Sequence, residues 1–281
     1  MTTLCYLNGR TLPLAEARID PQDRGFLFGD SLYEVVKVVA GTALHLEPHV
    51  ERLERGLARI EIARPEGLAA ACRRLAAESG LDGGYLYLQV TRGVAPRSHL
   101  PPEGVSPTVL VIPYAYDYRA PAGRRMKAVT VPDWRWEFRD LKTTSLLATV
   151  LGKLRAREGR VDEVLFRSVD GDLREGGSTN LFVARGGVLE THPADGRILE
   201  GVTRHLLIEL AREAGIDVQQ RPPKQNEIDQ WQEAFLCGTL TGVQPVVEID
   251  QTPIADEEIG PMTRRLADAL DRREKGLLAA E

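Results

Sequence analysis

The chain is poor in the residues that build covalent or metal-based scaffolds. Its three cysteines, Cys5, Cys72 and Cys237, are odd in number and far apart, which excludes a disulfide framework and offers no zinc-ligand spacing. Buried, unreactive thiols are expected. The five histidines are scattered and share no ligand spacing with cysteine or carboxylate, so no metal site is expected either. No apolar run reaches the roughly 20 residues of a membrane-spanning helix. The opening MTTLCYLNGRTLPLAEARID has no basic segment followed by an apolar one, and a cytoplasmic protein without a membrane partner is expected. Charge of one sign is not concentrated: the formal net charge is -5, which argues against a nucleic-acid footprint. Small molecules are the expected partners. A G-x-S-x-G elbow, a Walker loop and a dinucleotide fingerprint are all missing.

Lysine is scarce as well. Lys37, Lys127, Lys142, Lys153, Lys224 and Lys275 are the only six among 36 basic residues. Arginine stays protonated in a protein, whereas a lysine can be desolvated, lose its proton and attack a carbonyl. Lys142 is the one that stands just ahead of a long apolar helical pattern, in RWEFRDLKTTSLLATVLGKLRARE. Leu146, Leu147, Val150, Leu151 and Leu154 fall on one face of that helix.

What is present reads as mixed strands and helices. LCYLNGRTL predicts a hairpin about Asn8-Gly9, and SLYEVVKVVAGTALHL predicts further strands broken at Ala40-Gly41. EPHVERLERGLARIEI and PEGLAAACRRLAAESG read as amphipathic helices, and GYLYLQVTRG and PTVLVIPYAY as strands around a Pro-punctuated loop. The polar stretch 118–124 is the candidate linker between a smaller domain, 1–117, and a larger one, 125–281. The second half opens on the strand MKAVTVP and continues as strands turned at Asp170-Gly171 and Gly186-Gly187. It adds a helix ending at Gly215, the strand pair EAFLCGTLTGVQPVVEID and a terminal helix.

Several groups could carry chemistry. Lys142 is either a solvated amine at a helix entrance or a Schiff-base lysine, and the latter needs a carbonyl cofactor and a cradle for its phosphate. LEGVTRHLLIEL delivers Gly201 and Thr203 to a helix N-terminus, where free N–H groups favour an anion, although a plain N-cap threonine has the same pattern. CGTLTG places Gly238, Thr239 and Thr241 in a similar turn. Arg52 on the helix after Pro48 is otherwise one of many arginines, and Glu175 in LREGGSTN a carboxylate in a Gly-rich loop. Arg97 and His99, one residue apart between Pro96 and Pro101, suit a stiff carboxylate clamp.

Taken in order, DRGFLFGDSLYEVVKV, YLQVTRGVAPRSHLPPE, DLKTTSLL, EGGSTNLF, ILEGVTR and FLCGTLTGVQPVVEID resemble the motifs of the class IV, fold type IV, pyridoxal-phosphate aminotransferases. The match runs through nearly the whole chain. YEVVKV and QVTRG…PRSH look most like the bacterial D-amino acid aminotransferases. The resemblance implies a two-domain α/β (α+β) fold with a smaller N-terminal mixed sheet-and-helix domain and a larger strand-rich C-terminal domain. It implies pyridoxal 5'-phosphate as cofactor and transfer of an amino group from a D-amino acid such as D-alanine to a 2-oxo acid such as 2-oxoglutarate.

The same resemblance makes Lys142 the residue that joins the cofactor and shuttles the α-proton, and Glu175 the acid beside the pyridine nitrogen. Arg52, Val202, Thr203 and Thr239 match the phosphate cup, Leu199 the apolar residue under the ring, and Tyr33, Arg97 and His99 the carboxylate trap. In those relatives the Arg and His loop reaches from the neighbouring subunit, so a homodimer is implied. Ser31 stands where glycine is common, and Leu240 and Gly242 where relatives carry small polar residues and a glutamate. These departures bear on the amino-acid range. The rival activities are a branched-chain L-amino acid aminotransferase, an (R)-amine transaminase and an aminodeoxychorismate lyase. A silent cofactor-binding homologue would lack Lys142 or Glu175.

Overall fold

A computed structural model describes residues 3–118 and 124–280. The chain divides into two compact units. The first holds the residues up to Tyr118 together with Leu141–Ser145; the second runs to Asp140 and resumes at Leu146. Of the expected linker 118–124, residues 119–123 lie outside the described residues.

In the first unit, β1 (Leu4–Leu7) and β2 (Arg10–Pro13) form the expected hairpin, with φ of +47° at Asn8 and +89° at Gly9. Positive φ at both central residues matches the twist of the flanking strands, which is why Asn-Gly serves there. After α1 (Arg24–Phe28) come β3 (Ser31–Val39), β4 (Thr42–Ala43), α2 (Leu46–Arg59), α3 (Leu68–Glu78), β5 (Gly83–Thr91) and β6 (Thr108–Ala115). The strands are antiparallel in the order β2-β1-β6-β5-β3-β4. Along β3 the alternation is strict: Leu32, Glu34, Val36 and Val38 are buried and Tyr33, Val35, Lys37 and Val39 half-buried. The buried row packs with Val50, Leu53 and Leu57 of α2 and Leu68, Cys72 and Leu75 of α3. Each fully buried leucine or valine there contributes about 1.5–3 kcal/mol.

The segment 141–145 departs from the expected boundary, which placed it in 125–281. Leu32 bridges Thr143, and the Tyr33 N–H donates to the Lys142 carbonyl at 2.9 Å. These backbone bonds attach the lysine to the start of β3, a pairing no local pattern announces.

The second unit contains β7 (Met126–Pro132), α4 (Leu147–Glu158), β8 (Glu163–Arg167), β9 (Leu173–Gly176), β10 (Asn180–Arg185) and β11 (Val188–Thr191). These are followed by α5 (Val202–Glu213), β12 (Asp217–Gln220), β13 (Glu233–Gly238), β14 (Gly242–Ile249), β15 (Thr252–Pro253) and α6 (Pro261–Ala280). Its sheet runs β12-β11-β10-β13-β14-β7-β8-β9, and β9 also pairs with β10, Asn180 opposite Glu175. Six strands, β10-β13-β14-β7-β8-β9, therefore close into a ring. Leu181 and Val183 of β10 join Ala234, Leu236 and Trp231 in the core of the ring, while Phe182, Phe235 and Cys237 pack with Leu207 of α5 and Leu266 of α6. The period of two thus divides one strand between two cores.

The apolar stripe of α4 turns outward. Gly152 and Ala156 are its buried residues, and a Cβ added at Gly152 would lie 3.1 Å from Val164 and 3.2 Å from Phe166. Leu147 is 71% exposed, Val150 51% and Leu151 47%. All three cysteines are free and buried, and burial pushes the Cys72 and Cys237 thiols up to about 12.

Candidate active site

The first unit contributes the amine. Lys142 is half-buried, and its Nζ lies 4.4 Å from the centroid of the Tyr33 ring, whose π face attracts a cation. Tyr33 stacks on Tyr87 with centroids 5.7 Å apart. A chain of polar contacts continues from there: the Tyr87 hydroxyl donates to Gln89 Oε1 at 2.9 Å, Gln89 Nε2 donates to Ser31 Oγ at 3.4 Å, and Ser31 Oγ meets Thr144 Oγ1. Ser31, the departure from glycine, thus bonds two residues beyond Lys142. Burial raises the Tyr87 phenol to about 12, so it stays a donor.

Glu34 is the one charged residue in the buried row of β3, and three contacts explain it. Arg52 Nε and Nη2 donate to its two oxygens at 2.7 and 2.8 Å, and His49 Nδ1 lies 2.8 Å from Oε2. Burial opposes the charge on Glu34, but Arg52 and His49 outweigh it and hold the carboxyl at about 2. Burial lowers the His49 imidazole, with Arg52 and Lys142 adding to that and Glu34 opposing it. Arg52 is therefore held by a fork-on-carboxylate contact of fixed geometry. Neither Glu34 nor His49 was among the sequence candidates; a glutamate in phase with buried Leu32 and Val36 was the available signal.

Arg97 and His99 stand exposed on the loop after β5. Arg97 Cζ lies 5.4 Å from the Phe28 ring centroid, and the His99 ring lies 5.7 Å from the same ring, tilted by 58°. Among the described residues no hydrogen bond or ring contact joins either of them to Tyr33.

The second unit contributes an acid and anion donors. Glu175 lies in β9, not in a loop, at the bridge that closes the strand ring. It is 4% exposed. Arg135 Nη1 donates to its Oε1 at 2.6 Å; Asn180 Nδ2 and the Leu199 N–H donate to Oε2 at 3.1 and 3.0 Å. Burial raises the Glu175 carboxyl, while Arg135 and the Leu199 N–H pull it down. Arg135 is itself fixed by Asp133 at 2.9 Å, and its Cζ lies 4.2 Å from the Phe166 ring centroid. Asp133 also takes bonds from Arg139 and Arg174. Arg135 was missed in the sequence because nothing local sets it apart from the other arginines.

Asn180 gathers the rest. Its Nδ2 also donates to the Leu199 carbonyl at 2.9 Å, and a Cβ added at Gly201 would fall 2.1 Å from its Oδ1. Gly201 is the N-cap of α5, and no side chain caps that helix. Thr203 is its second residue and not the cap, so the first-turn N–H groups of Val202 and Thr203 are left for an anion. Thr239 sits in the β13–β14 hairpin beside Gly238, where an added Cβ would meet the Ser178 carbonyl at 3.2 Å. The buried Thr179 hydroxyl there has no hydrogen-bond partner among the described residues. The unit thus brings Glu175, Leu199, Val202 and Thr203 together around Asn180, and sets the hairpin of Thr239 against the 176–179 loop.

The family model for amino-transferase class IV matches residues 31–249. The chain belongs to the class IV aminotransferases. It is 34% identical over 270 residues to the D-alanine aminotransferase of Bacillus licheniformis, covering 94% of both chains. It is 32% identical over 269 residues to the D-alanine aminotransferase of Listeria innocua, covering 92% of each. The Escherichia coli branched-chain amino acid aminotransferase has the same fold, with a TM-score of 0.92 at 23% identity over 98% of this chain and 96% of that one. This aminotransferase is pyridoxal-phosphate-dependent and has the two-domain fold of type IV. Each unit taken by itself has donors that suit the cofactor: the first an amine and an oriented guanidinium, the second an uncapped helix N-terminus and a buried carboxylate with fixed donors. These match an aldehyde, a phosphate and a pyridine nitrogen in turn.

Proposed function

We propose that this aminotransferase moves the amino group of a D-amino acid, such as D-alanine, to a 2-oxo acid, such as 2-oxoglutarate. The observation that carries the reading is the loop on which Arg97 and His99 both rest against Phe28. A guanidinium and an imidazole held on one ring suit a substrate carboxylate, which arginine takes in bidentate fashion. Tyr33 supplies a further hydroxyl for the same carboxylate. The similarity to curated D-alanine aminotransferases supports it.

Bound pyridoxal phosphate supplies the carbonyl that takes up the amino group and an electron sink for the bond to the α-proton. Lys142 would hold the cofactor through that carbonyl, and its Nζ would serve as general base and acid for the proton of the substrate α-carbon. Glu175 holds a proton on the pyridine nitrogen, and Arg135 and Asn180 fix the carboxylate that does so. Arg52, the N–H groups of Val202 and Thr203, and the hydroxyls of Thr203 and Thr239 hold the phosphate. Leu199 offers the ring an apolar surface.

A homodimer is the proposed assembly. The exposed stripe of α4, with Val94 and Leu100 exposed on the Arg97 loop, supports it, since apolar surface left open on one chain marks an interaction face. No helix among the described residues is long and apolar enough to cross a membrane; the cytoplasm is the proposed compartment. The test is a half-reaction panel of D- and L-amino acids and (R)-amines with 2-oxoglutarate and pyruvate. D-amino acids should lead. Preference for branched L-amino acids or for amines would replace this reading with the corresponding one.

A further inference from the structure

The loop VAPRSHLPPEGVSP, 94–107, carries Arg97 and His99 with no strand or helix of its own beyond an isolated bridge at Val94. A loop of that length ordinarily samples many conformations. Here it is tied down by Arg24, whose side chain is 4% exposed. Arg24 Nη1 donates to the Ser98 carbonyl at 2.5 Å and Nη2 to the His99 carbonyl at 3.1 Å. Its Nε donates to Asp30 Oδ2 at 2.8 Å, and its Cζ lies 4.8 Å from the Phe28 ring centroid.

Asp30 is anchored in turn. Arg92 Nε donates to Asp30 Oδ2 at 2.7 Å and Nη2 to Oδ1 at 3.1 Å, while the same guanidinium donates to the Ile60 and Glu61 carbonyls at 2.6 and 2.9 Å. The end of α2 is thereby connected through Arg92, Asp30 and Arg24 to the backbone on which Arg97 and His99 stand. Phe28 meets three of these side chains: Arg24, Arg97 and His99.

We infer that Arg24 and Phe28 are a positioning pair for substrate recognition: Arg24 clamps the loop backbone, and Phe28 is the platform that orients the Arg97 and His99 side chains. The inference rests on the reading of Arg97 and His99 as the carboxylate trap. A binding-competent loop that is populated only part of the time weakens apparent affinity by that fraction and leaves the saturated rate alone. The pair therefore acts on KM and not on kcat. A lysine at position 24 keeps the charge and can still reach Asp30, yet it lacks the planar fork that spans two carbonyls.

The test compares Arg24→Lys, Phe28→Leu and Arg97→Ala as holoenzymes. Each is measured for kcat and KM with D-alanine and for the inhibition constant of propionate, a carboxylate that cannot react. For Arg24→Lys both KM and the propionate constant should rise together, about tenfold if the competent fraction falls to roughly a tenth, with kcat within about twofold of the parent. Phe28→Leu should show the same split and carries the test if Arg24→Lys does not fold. A fall in kcat at unchanged KM, or parent-like constants in both variants, overturns the inference. If Arg97→Ala raises both constants and the other two variants do not, only the positioning role fails. If Arg97→Ala leaves them unchanged, the trap reading fails and takes the inference with it.

Discussion

In the proposed reaction two side chains divide the proton work, and each should fail in its own way. If Lys142 moves the proton at carbon as proposed, Lys142→Ala should lower kcat by at least about a hundredfold, the ordinary worth of a general acid-base group. Arg52 and the α5 N-terminus remain, so cofactor should still bind without a covalent link, which an absorbance titration with and without borohydride reads directly. Turnover at the parent rate would remove Lys142 from the chemistry. Glu175→Gln leaves an amide among the donors of Arg135, Asn180 and Leu199, and it cannot keep the pyridine nitrogen protonated. That should cost roughly ten- to a hundredfold in kcat, with substrate binding largely kept, from the loss of a charged hydrogen bond felt mostly in the transition state. A rise in KM alone would mark Glu175 as a binding residue. Both proposals are read from motifs, DLKTT and EGGSTN; spacing alone leaves each open. Arg135 and Asn180 were not legible, because their role depends on Glu175 lying opposite Asn180 in the sheet, a register that sequence distance does not reveal.

At the level of strands and helices, β3 and α2 are joined by an ion pair inside an apolar layer, and that has a pH signature. The Glu34 carboxyl is held at about 2 in the folded chain, below its ordinary value near 4.3. Its contribution is therefore full above about pH 4 and is lost as pH falls toward 2. The size is on the order of 3 kcal/mol. Glu34→Gln should lower the urea midpoint at pH 7 and lose most of that difference at pH 2.5. An equal difference at both pH values would mean that the charge on Glu34 contributes nothing. The strands and helices themselves were legible from periodicity and turn residues: Asn8-Gly9, Ala40-Gly41 and Gly215 each end or turn an element as expected. The orientation of α4 was not. Its leucines form a regular stripe, and Gly152 and Ala156, packed against Val164 and Phe166, show which side faces its own unit.

For the molecule as a whole, that stripe connects folding with assembly. If Leu147, Val150 and Leu151 are covered in a homodimer, Leu147→Glu together with Leu151→Glu should shift sedimentation to the monomer. The Tm of the parent should rise with protein concentration and that of the double variant should not, by mass action. A dimer that survives both changes places the interface elsewhere. Segment 141–145 is joined to β3 by backbone bonds that carry no side-chain signal in the sequence.

The strand ring also sets an order of events during synthesis. Strands β7, β8, β9 and β10 leave the ribosome early, but β7 gains its second neighbour only when Val246 of β14 arrives opposite Met126. Such distant parallel pairing is slow, because the loop must be closed before the contacts reward it. Until then β7 and β10 each present a bare edge, the usual template for unwanted pairing. A chain terminated before β13 would still contain Lys142 and Glu175, the residues proposed to handle the proton, and Val202 and Thr203 at the α5 N-terminus. It would lack β13 and β14, which complete the ring, and would aggregate through the open edges of β7 and β10, so truncation ahead of Glu233 should abolish activity while keeping those residues.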